Sequence, residues 1–270
     1  MQAAAGPALV CRPLAPIASH RYTTRHWELG VRAGGDERSA WAALAGALEL
    51  ETARLVRVHQ VHGAAVVVAR EGESQHDGAD EADIIVTGAP GLGLAVQAAD
   101  CVPLLIADER TAAVAAAHAG WRGMAAGVPS AAVAALAREL GSRPSDLVAA
   151  IGPSIGVCCY EVGTEVRERF ESAAFGSDRI ARWFRAAPRP SSRNPSMPGL
   201  SRPQRAGHWF FDGWSAAREQ LEEAGVPPAR IFVAELCTAS HAETFCSYRR
   251  EGSGVGRLAG AIRSRGGLTR

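Results

Sequence analysis

The chain contains no lysine, so all 29 of its basic residues are arginine. This excludes Schiff-base catalysis and a P-loop lysine, because both need an amine or ammonium group that a guanidinium cannot replace. A bound phosphate must then be held by guanidinium groups or backbone amides. Long basic blocks are also missing, and the formal net charge is only +1. The sequence therefore predicts neither a nucleic-acid partner nor a membrane partner and favours small-molecule chemistry.

Cysteine is too sparse for a disulfide scaffold, with six residues in 270. Cys158 and Cys159 are neighbours that cannot easily bridge each other, while Cys11, Cys237 and Cys246 follow no evident spacing rule. No apolar run approaches the length of a membrane span, and the first residues lack the charged start and apolar core of a signal peptide. We therefore predict a cytoplasmic protein.

Composition favours a globular protein, since 47% of the residues are hydrophobic and 21% are charged, and the length allows one large or two small cores. We predict a single domain over residues 1–270. Residues 185–207 are rich in proline, serine and arginine and offer little to bury. This stretch is predicted to form a mobile surface loop.

Hydrophobic periodicity predicts both helices and short strands. A helix is expected over 38–50, where Trp41, Leu44 and Leu48 have helical spacing, and another from Gly123 to Leu140. Strand-like runs are predicted over 64–69, 84–87, 92–97, 102–107 and 113–117. Because these runs lie close together, antiparallel or mixed pairing is favoured over a repeated βαβ pattern.

An internal echo joins residues 140–151 and 224–235. Each segment ends a helix at a glycine, Gly141 or Gly225, bars its continuation with a proline, and then starts an apolar strand. The echo suggests an internal duplication. The predicted fold class is α+β, a layered sandwich of mixed β-sheets flanked by helices.

Three residues are candidate metal ligands: His62 in Gln-Val-His-Gly, Cys101 in Ala-Asp-Cys-Val, and His118 in His-Ala-Gly-Trp. Two imidazoles and a thiolate suit zinc, and three protein ligands leave a tetrahedral ion one open position. Their spacing matches no zinc-finger ladder. The alternative is that Cys101 is a small buried hydrophobe and both histidines are satisfied core or loop residues.

Six ordered blocks spanning about residues 58–258 resemble the laccase-domain (YfiH-type) family. They are Gln60-Val61-His62-Gly63, Ala82-Asp83-Ile84-Ile85-Val86-Thr87, Ala99-Asp100-Cys101-Val102-Pro103, His118-Ala119-Gly120-Trp121-Arg122-Gly123, Ile151-Gly152-Pro153-Ser154-Ile155-Gly156 and Ser247-Tyr248-Arg249-Arg250.

The resemblance implies layered mixed sheets and a metal bound by His62, Cys101 and His118. The donor set suits zinc, and copper is able to take its place because its intrinsic affinity is higher. The activities it implies are purine nucleoside phosphorolysis, adenosine deamination and methylthioadenosine phosphorolysis, with nucleoside and phosphate as small-molecule partners. Multicopper oxidase chemistry is disfavoured, because the eight histidines form no His-x-His pair.

Other residues are predicted around the metal. Arg122, between Gly120 and Gly123, is either an anion fork or a structural salt-bridge partner. If Tyr248 begins a strand, only one of Arg249 and Arg250 faces the site. In an extended stretch Gln60 shares a face with His62, whereas His59 does not, so Gln60 is a candidate for contacting base or sugar.

The sequence leaves more than one role for the acidic residues near the predicted centre. Asp100 is expected to accept from an imidazole N–H or to anchor the backbone. Asp83, Asp100 and Glu161 are candidates for the proton shuttle that deamination requires. The catalytic residues are predicted to be Cys101, His118 and Arg122.

Three functions compete. The first is the nucleoside enzyme, and the second is a cysteine hydrolase or amidase, including peptidoglycan-precursor editing, with Cys101 as nucleophile and His118 or His62 as base. The third is a non-catalytic, zinc-stabilised interaction module.

The N-terminal part departs from the family pattern. Relatives usually carry a Gly-Gly-Val-Ser type turn after the Thr-Arg element and an Asn-Arg pair in the next helix. Here Thr24-Arg25 leads into His26-Trp27, and Trp41-Ala42 occupies the helix. Substrate range is therefore expected to differ.

Overall fold

The computed structural model describes residues 6–30, 37–72, 77–173, 175–200 and 205–265. These residues form two six-stranded sheets, one three-stranded sheet and the surrounding helices. This confirms the predicted α+β class with layered mixed sheets. None of the helices in the described ranges has the length and apolar character needed to cross a membrane.

The strands are β1 (Ala8–Leu9), β2 (Ala18–Thr23), β3 (Leu55–His59), β4 (Val66–Val68), β5 (Asp77–Glu81), β6 (Ile84–Thr87), β7 (Gly93–Ala98), β8 (Val102–Asp108), β9 (Val114–Ala119), β10 (Leu147–Ile151), β11 (Glu161–Gly163), β12 (Phe184–Arg185), β13 (His208–Phe211), β14 (Ile231–Val233) and β15 (Leu258–Ser264). The helices are α1 (Glu37–Ala47), α2 (Trp121–Ala125), α3 (Val128–Leu140), α4 (Thr164–Ser172), α5 (Ser177–Trp183), α6 (Gly213–Glu223) and α7 (Tyr248–Glu251).

The first sheet has the order β1-β2-β15-β7-β3-β5, and the second has the order β14-β10-β8-β9-β6-β4. Most neighbouring strands are antiparallel, but β3 pairs parallel with β5 and β7, β4 pairs parallel with β6, and β10 pairs parallel with β14. The expectation of mixed pairing is therefore confirmed. Strands β11, β13 and β12 form the small third sheet.

Strand β8 shows how the layers pack. Its Leu105 and Ala107 belong to the apolar cluster between the two large sheets, whereas Leu104 and Ile106 belong to the cluster beneath α3 and α6. Successive side chains of a strand point to opposite faces, so a strand buried on both faces reads as an unbroken apolar run. Helix α1 covers the other face of the first sheet through Trp41 and neighbouring residues.

Two predicted elements differ from the structure. The helix expected over 123–140 is two helices, because Gly127 adopts a left-handed conformation with φ +79° between α2 and α3. The strand expected at Tyr248-Arg249-Arg250 is wrong, since these residues begin helix α7. The hydroxyl of Ser247 accepts from the Arg250 N–H and caps that turn, an N-cap that favours helix over strand.

The internal echo is confirmed as two adjacent helix-turn-strand units. Gly141 and Gly225 both have positive φ, at 65° and 93°, and each is followed by a short 3-10 turn that starts with a proline. The strands that follow, β10 and β14, lie side by side in parallel, with Ala149 opposite Ile231. The repeated sequence pattern therefore builds neighbouring parts of one sheet.

The segment predicted as a mobile loop is partly docked. Residues 186–200 contain no helix or strand, as expected, but Asn194 is buried and bonds to the Glu235 carbonyl and the Cys237 N–H. Met197 and Leu200 also pack onto the core. Most residues of this stretch are exposed, as expected, but one amide side chain fixes the polar loop through backbone hydrogen bonds. Residues 201–204 lie outside the described ranges.

Candidate metal centre and its cavity

The three predicted metal ligands meet at one point. His62 follows β3, Cys101 immediately precedes β8, and His118 lies in β9, where Pro103 of β8 is its antiparallel partner. The His62 Nε2 and Cys101 Sγ atoms are 4.0 Å apart, and the two imidazole rings stand nearly perpendicular, 4.8 Å between centroids. The ligand atoms of all three lie within 4.8 Å of one another.

Two of the residues that shape this centre have unusual backbones. His62 has φ +62° and Asp100 has φ +84°. Such left-handed conformations are uncommon outside glycine and cluster at functional sites. Because the chain turns at His62, the alternation expected of an extended stretch fails, and His59, Gln60 and His62 all line the same cavity.

Asp83 positions two of the three predicted ligands, His62 and His118, through hydrogen bonds. Its buried carboxylate accepts from His118 Nδ1 at 2.7 Å and from the backbone N–H groups of Val61, His62 and Gly63. With Nδ1 donating to this carboxylate, the Nε2 lone pair of His118 is free for a metal. Sequence reasoning treated Asp83 only as a possible proton shuttle. Its position directly before the buried strand β6 is the sequence feature that could have indicated a buried, hydrogen-bonded role.

Asp100 has the other of its two predicted roles, as a backbone anchor. It accepts from the Thr238 hydroxyl at 2.6 Å and from the Arg249 N–H at 2.6 Å. Burial raises the pKa of Asp100, although these hydrogen bonds oppose the shift. Asp100 therefore ties Cys101 to the segments that carry Thr238 and Arg249.

The residues present fit a metal ion. A Cβ atom built on Gly120 would lie 2.9 Å from His62 Cδ2 and 3.0 Å from Cys101 Sγ, so only glycine leaves this space free. Two imidazoles and a thiolate suit a borderline-soft divalent ion. Within the described ranges no fourth histidine, cysteine or carboxylate joins the group. A closed four-ligand site, as an interaction module would need, is therefore not formed by these residues.

Without a metal, Cys101 and His118 favour opposite charges. Burial alone would raise the pKa of Cys101, but the neighbouring His118 and His62 outweigh it and lower that pKa to about 6. Burial would likewise lower the pKa of His118, but Cys101 and Asp83 raise it to about 9. Between these values the pair is a thiolate and an imidazolium.

This pairing predicts the thiol reactivity of the metal-free protein. After chelation, the alkylation rate of Cys101 should reach half its plateau at a pH of about 6, since only the thiolate reacts. Cys11 is the internal control, because burial raises its pKa above the usual thiol value. Mass spectrometry of alkylated peptides across pH separates the two. A Cys101 midpoint as high as that of Cys11 would contradict the ion pair.

The centre opens into a cavity of about 740 Å³, within the range of small-molecule sites. Arginines and aromatic side chains surround the three ligand residues. Those lining the cavity are Trp41, Arg57, Trp121, Arg122, Tyr160, Tyr248, Arg249 and Arg257. Sequence reasoning missed Tyr160 and Arg57, because nothing in their local patterns marks them as facing a cavity.

The arginines divide between cavity and scaffold. The Arg122 guanidinium carbon lies 4.2 Å from the centroid of the Trp121 ring, and no ion pair to Arg122 is found among the described residues. Arg249 lies over Tyr160 at 5.2 Å and donates to the Glu161 carbonyl. Arg250 is not among the lining residues. It donates instead to the carbonyls of Thr238, Ala239 and Phe245.

Gln60 lines the cavity, but its amide is already engaged. Its Nε2 donates to the Gln97 carbonyl at 2.8 Å, and its Oε1 accepts from the Gln97 N–H at 2.7 Å. The side chain thus continues the sheet between the His62 segment and β7. The Glu161 carboxylate is paired with Arg205 at 2.9 Å.

Comparison with known proteins defines the class. Residues 25–265 match the family described as multi-copper polyphenol oxidoreductase laccase. The chain belongs to this family, which confirms the laccase-domain resemblance.

Relatives are named for nucleoside chemistry. The chain is 34% identical to a purine nucleoside phosphorylase from Deinococcus radiodurans, over 90% of this chain and 88% of that one. It is 36% identical to a purine nucleoside phosphorylase from Bacteroides thetaiotaomicron, over 67% of this chain but only 60% of that relative's length. An adenosine deaminase from an unknown prokaryotic organism is 33% identical, over 79% of this chain and 76% of the relative.

Among solved structures, the fold is similar to the Bacillus licheniformis hypothetical protein YfiH. The TM-score is 0.79 at 26% sequence identity, with 95% of this chain and 96% of that chain covered. The layered sheets are therefore the architecture of a known fold.

Proposed function

We propose that this protein is a metal-dependent purine nucleoside enzyme that works at the centre formed by His62, Cys101 and His118. The observation that carries the proposal is the convergence of these three side chains at an arginine-lined cavity, with no fourth ligand among the described residues. The nucleoside activities in the names of the relatives support the same reaction class.

The chain's own residues would divide the work. Arg122 and Arg249 supply guanidinium groups for the phosphate, as a chain without lysine requires. Burial and the nearby Cys101 raise the pKa of Tyr160, so its hydroxyl stays protonated and can donate to the substrate. Asp83 holds His118 in place and takes no part in proton shuttling, because four donors already occupy its carboxylate.

Zinc is the proposed ion, with copper able to replace it. When bound, the ion would supply Lewis-acid polarisation and lower the pKa of water at its open position. His62, Cys101 and the Nε2 atom of His118 would hold it, and Gly120 would keep the space beside it free.

Two reactions follow from this arrangement. In phosphorolysis, phosphate displaces the purine from the sugar and yields the free base and a pentose 1-phosphate. In deamination, water replaces the amino group of adenosine and yields inosine and ammonia. The proposed substrates are adenosine, inosine and methylthioadenosine.

Product analysis tests the proposal. The zinc-loaded protein is incubated with each nucleoside, with and without phosphate, and the products are separated by chromatography. Free base that forms only with phosphate, or inosine from adenosine, is the expected result. The absence of both products, with all three nucleosides and bound zinc verified, would contradict the function.

Replacing Arg122 with lysine should raise the KM for phosphate by about tenfold or more, because a planar fork becomes a point charge. The matched control is Arg167→Lys, since Arg167 also stacks on a tryptophan, Trp209, outside the cavity. Steady-state kinetics at varied phosphate measures both variants. An unchanged phosphate KM in Arg122→Lys, with the control also unchanged, would show that Arg122 does not bind phosphate.

The thiolate–imidazolium pair favours a second candidate, a cysteine hydrolase. Cys101, His118 and Asp83 together have the character of nucleophile, base and orienting carboxylate. Such an enzyme would remain active after chelation. Its activity would fall in proportion to the fraction of Cys101 that is alkylated. The metalloenzyme would lose activity on chelation, and bound metal would protect Cys101 from alkylation.

A further inference from the structure

A second group of sulfur atoms lies outside the cavity lining. Cys158, Cys159 and Cys237 are each at most 1% exposed, and their Sγ atoms all lie within 4.8 Å of one another. None of the three forms a disulfide. Their spacing in the sequence does not predict this group, because Cys237 is distant from Cys158 and Cys159 along the chain and lies beside them only in the folded structure.

Two segments create this sulfur cluster. Residue Ser154 forms a parallel bridge with Cys237, which sets the segment after β10 beside the segment after β14. The Gly156 N–H donates to Cys237 Sγ at 3.3 Å, and the Asn194 side chain holds the Cys237 N–H. The positions of these sulfur atoms are therefore fixed by backbone contacts.

The three sulfur atoms have polar neighbours inside the core. Besides the Gly156 N–H, the Ser240 hydroxyl lies 3.6 Å from both Cys158 Sγ and Cys159 Sγ. The Gly156 N–H and the Ser240 hydroxyl therefore lie beside a compact group of three polarizable sulfur atoms.

We propose that Cys158, Cys159 and Cys237 form a second metal site, for a thiophilic d10 cation such as Cu⁺ or Zn²⁺. A metal–sulfur bond of about 2.3 Å in a trigonal site places sulfurs ~4 Å apart, which fits the observed group. Binding releases the thiol protons to solvent and needs no oxidant.

The donor set favours monovalent copper within this class. Structural zinc is almost always bound by four ligands, and the described histidines, cysteines and carboxylates add no fourth member to this group. The nearest oxygen donor, the Ser240 hydroxyl, already donates to the Pro195 carbonyl. Copper in its monovalent state accepts an all-sulfur, low-coordinate, dry site.

The site would fix the wall of the cavity. Cys159 precedes Tyr160, which lines the cavity, and Cys237 precedes Thr238, which donates to Asp100 beside Cys101. An ion bound by all three cysteines would cross-link these two segments. Its role would be structural, in a position distinct from the first centre.

X-ray absorption at the metal edge tests the proposal in a Cys101→Ala background. This replacement removes the only sulfur of the first centre, so any metal–sulfur bond must come from elsewhere. The folded protein is loaded with Cu⁺, and in a parallel sample with Zn²⁺, in the presence of a competing chelator. We expect two to three sulfur ligands at about 2.3 Å for copper, and sulfur ligation of zinc would equally support the site.

Matched variants assign those sulfurs. In the same background, Cys159→Ala and Cys237→Ala should each lower the sulfur count and the amount of ion retained, whereas Cys246→Ala, at a buried cysteine outside this group, should not. Circular dichroism verifies that each variant is folded. If either replacement unfolds the protein, the sulfur ligation measured in Cys101→Ala alone tests the proposal. Metal without sulfur ligands in that parent, or sulfur ligation that is the same in all variants, would overturn the proposal.

Discussion

Asp83→Asn should lower the affinity for the catalytic metal by about 10- to 100-fold, the usual cost of losing the group that orients a ligand. An amide cannot accept four hydrogen bonds, and its N–H₂ group would face the N–H of either His62, which bonds to Oδ1, or Gly63, which bonds to Oδ2. His118 would lose the partner that fixes its tautomer. Competition with a chromophoric chelator measures the affinity.

The matched control is Asp108→Asn. Asp108 is also fully buried and accepts from two backbone N–H groups, those of Arg110 and Thr111, but it does not line the cavity. This variant should lose stability without a change in metal affinity. Equal affinities for wild type and Asp83→Asn would show that Asp83 is only a structural carboxylate.

Cys101→Ala should reduce nucleoside turnover by roughly a thousandfold, on the order of the several kcal/mol that a metal contributes to a transition state. Cys101→His should do less harm, because it supplies a nitrogen donor in place of sulfur and keeps some bound metal. Elemental analysis and turnover measured on the same samples compare the two variants.

A covalent nucleophile behaves differently at the same position. If Cys101 attacked substrate, the histidine variant would be as inactive as the alanine variant even with metal bound. Residual turnover that follows retained metal in Cys101→His is therefore the expected outcome. Complete loss in a fully loaded histidine variant would favour the hydrolase.

The sequence predicted the features that short local patterns of residues determine. The proposed ligand set of His62, Cys101 and His118 and the family resemblance followed from short blocks, and the layered fold followed from short, closely spaced apolar runs. Strand β8 illustrates this, because its unbroken apolar run reflects burial on both faces.

Backbone geometry could not be predicted in the same way. The positive φ of His62 turned a stretch that alternation treats as extended, and the Ser247 cap turned an expected strand into helix α7. Both outcomes depend on tertiary contacts, such as the bonds from Asp83 to the His62 segment. Local patterns do not contain those contacts.

Long-range pairing was also hidden from the sequence. Asp83 meets His118 across neighbouring strands β6 and β9, and Cys237 reaches Cys158 and Cys159 only because β14 lies beside β10. Spacing rules find ligands that share one turn or one hairpin. Ligands that are brought together by sheet order require the structure.

The dependence of nucleoside turnover on zinc occupancy tests the central claim most directly. Metal-free protein is titrated with zinc, and at each step the bound zinc and the rate of product formation from adenosine and phosphate are measured together. We expect a rate near zero without metal that rises as the centre of His62, Cys101 and His118 fills, and no such rise in a variant with all three residues replaced by alanine. Full turnover by the metal-free protein would contradict it.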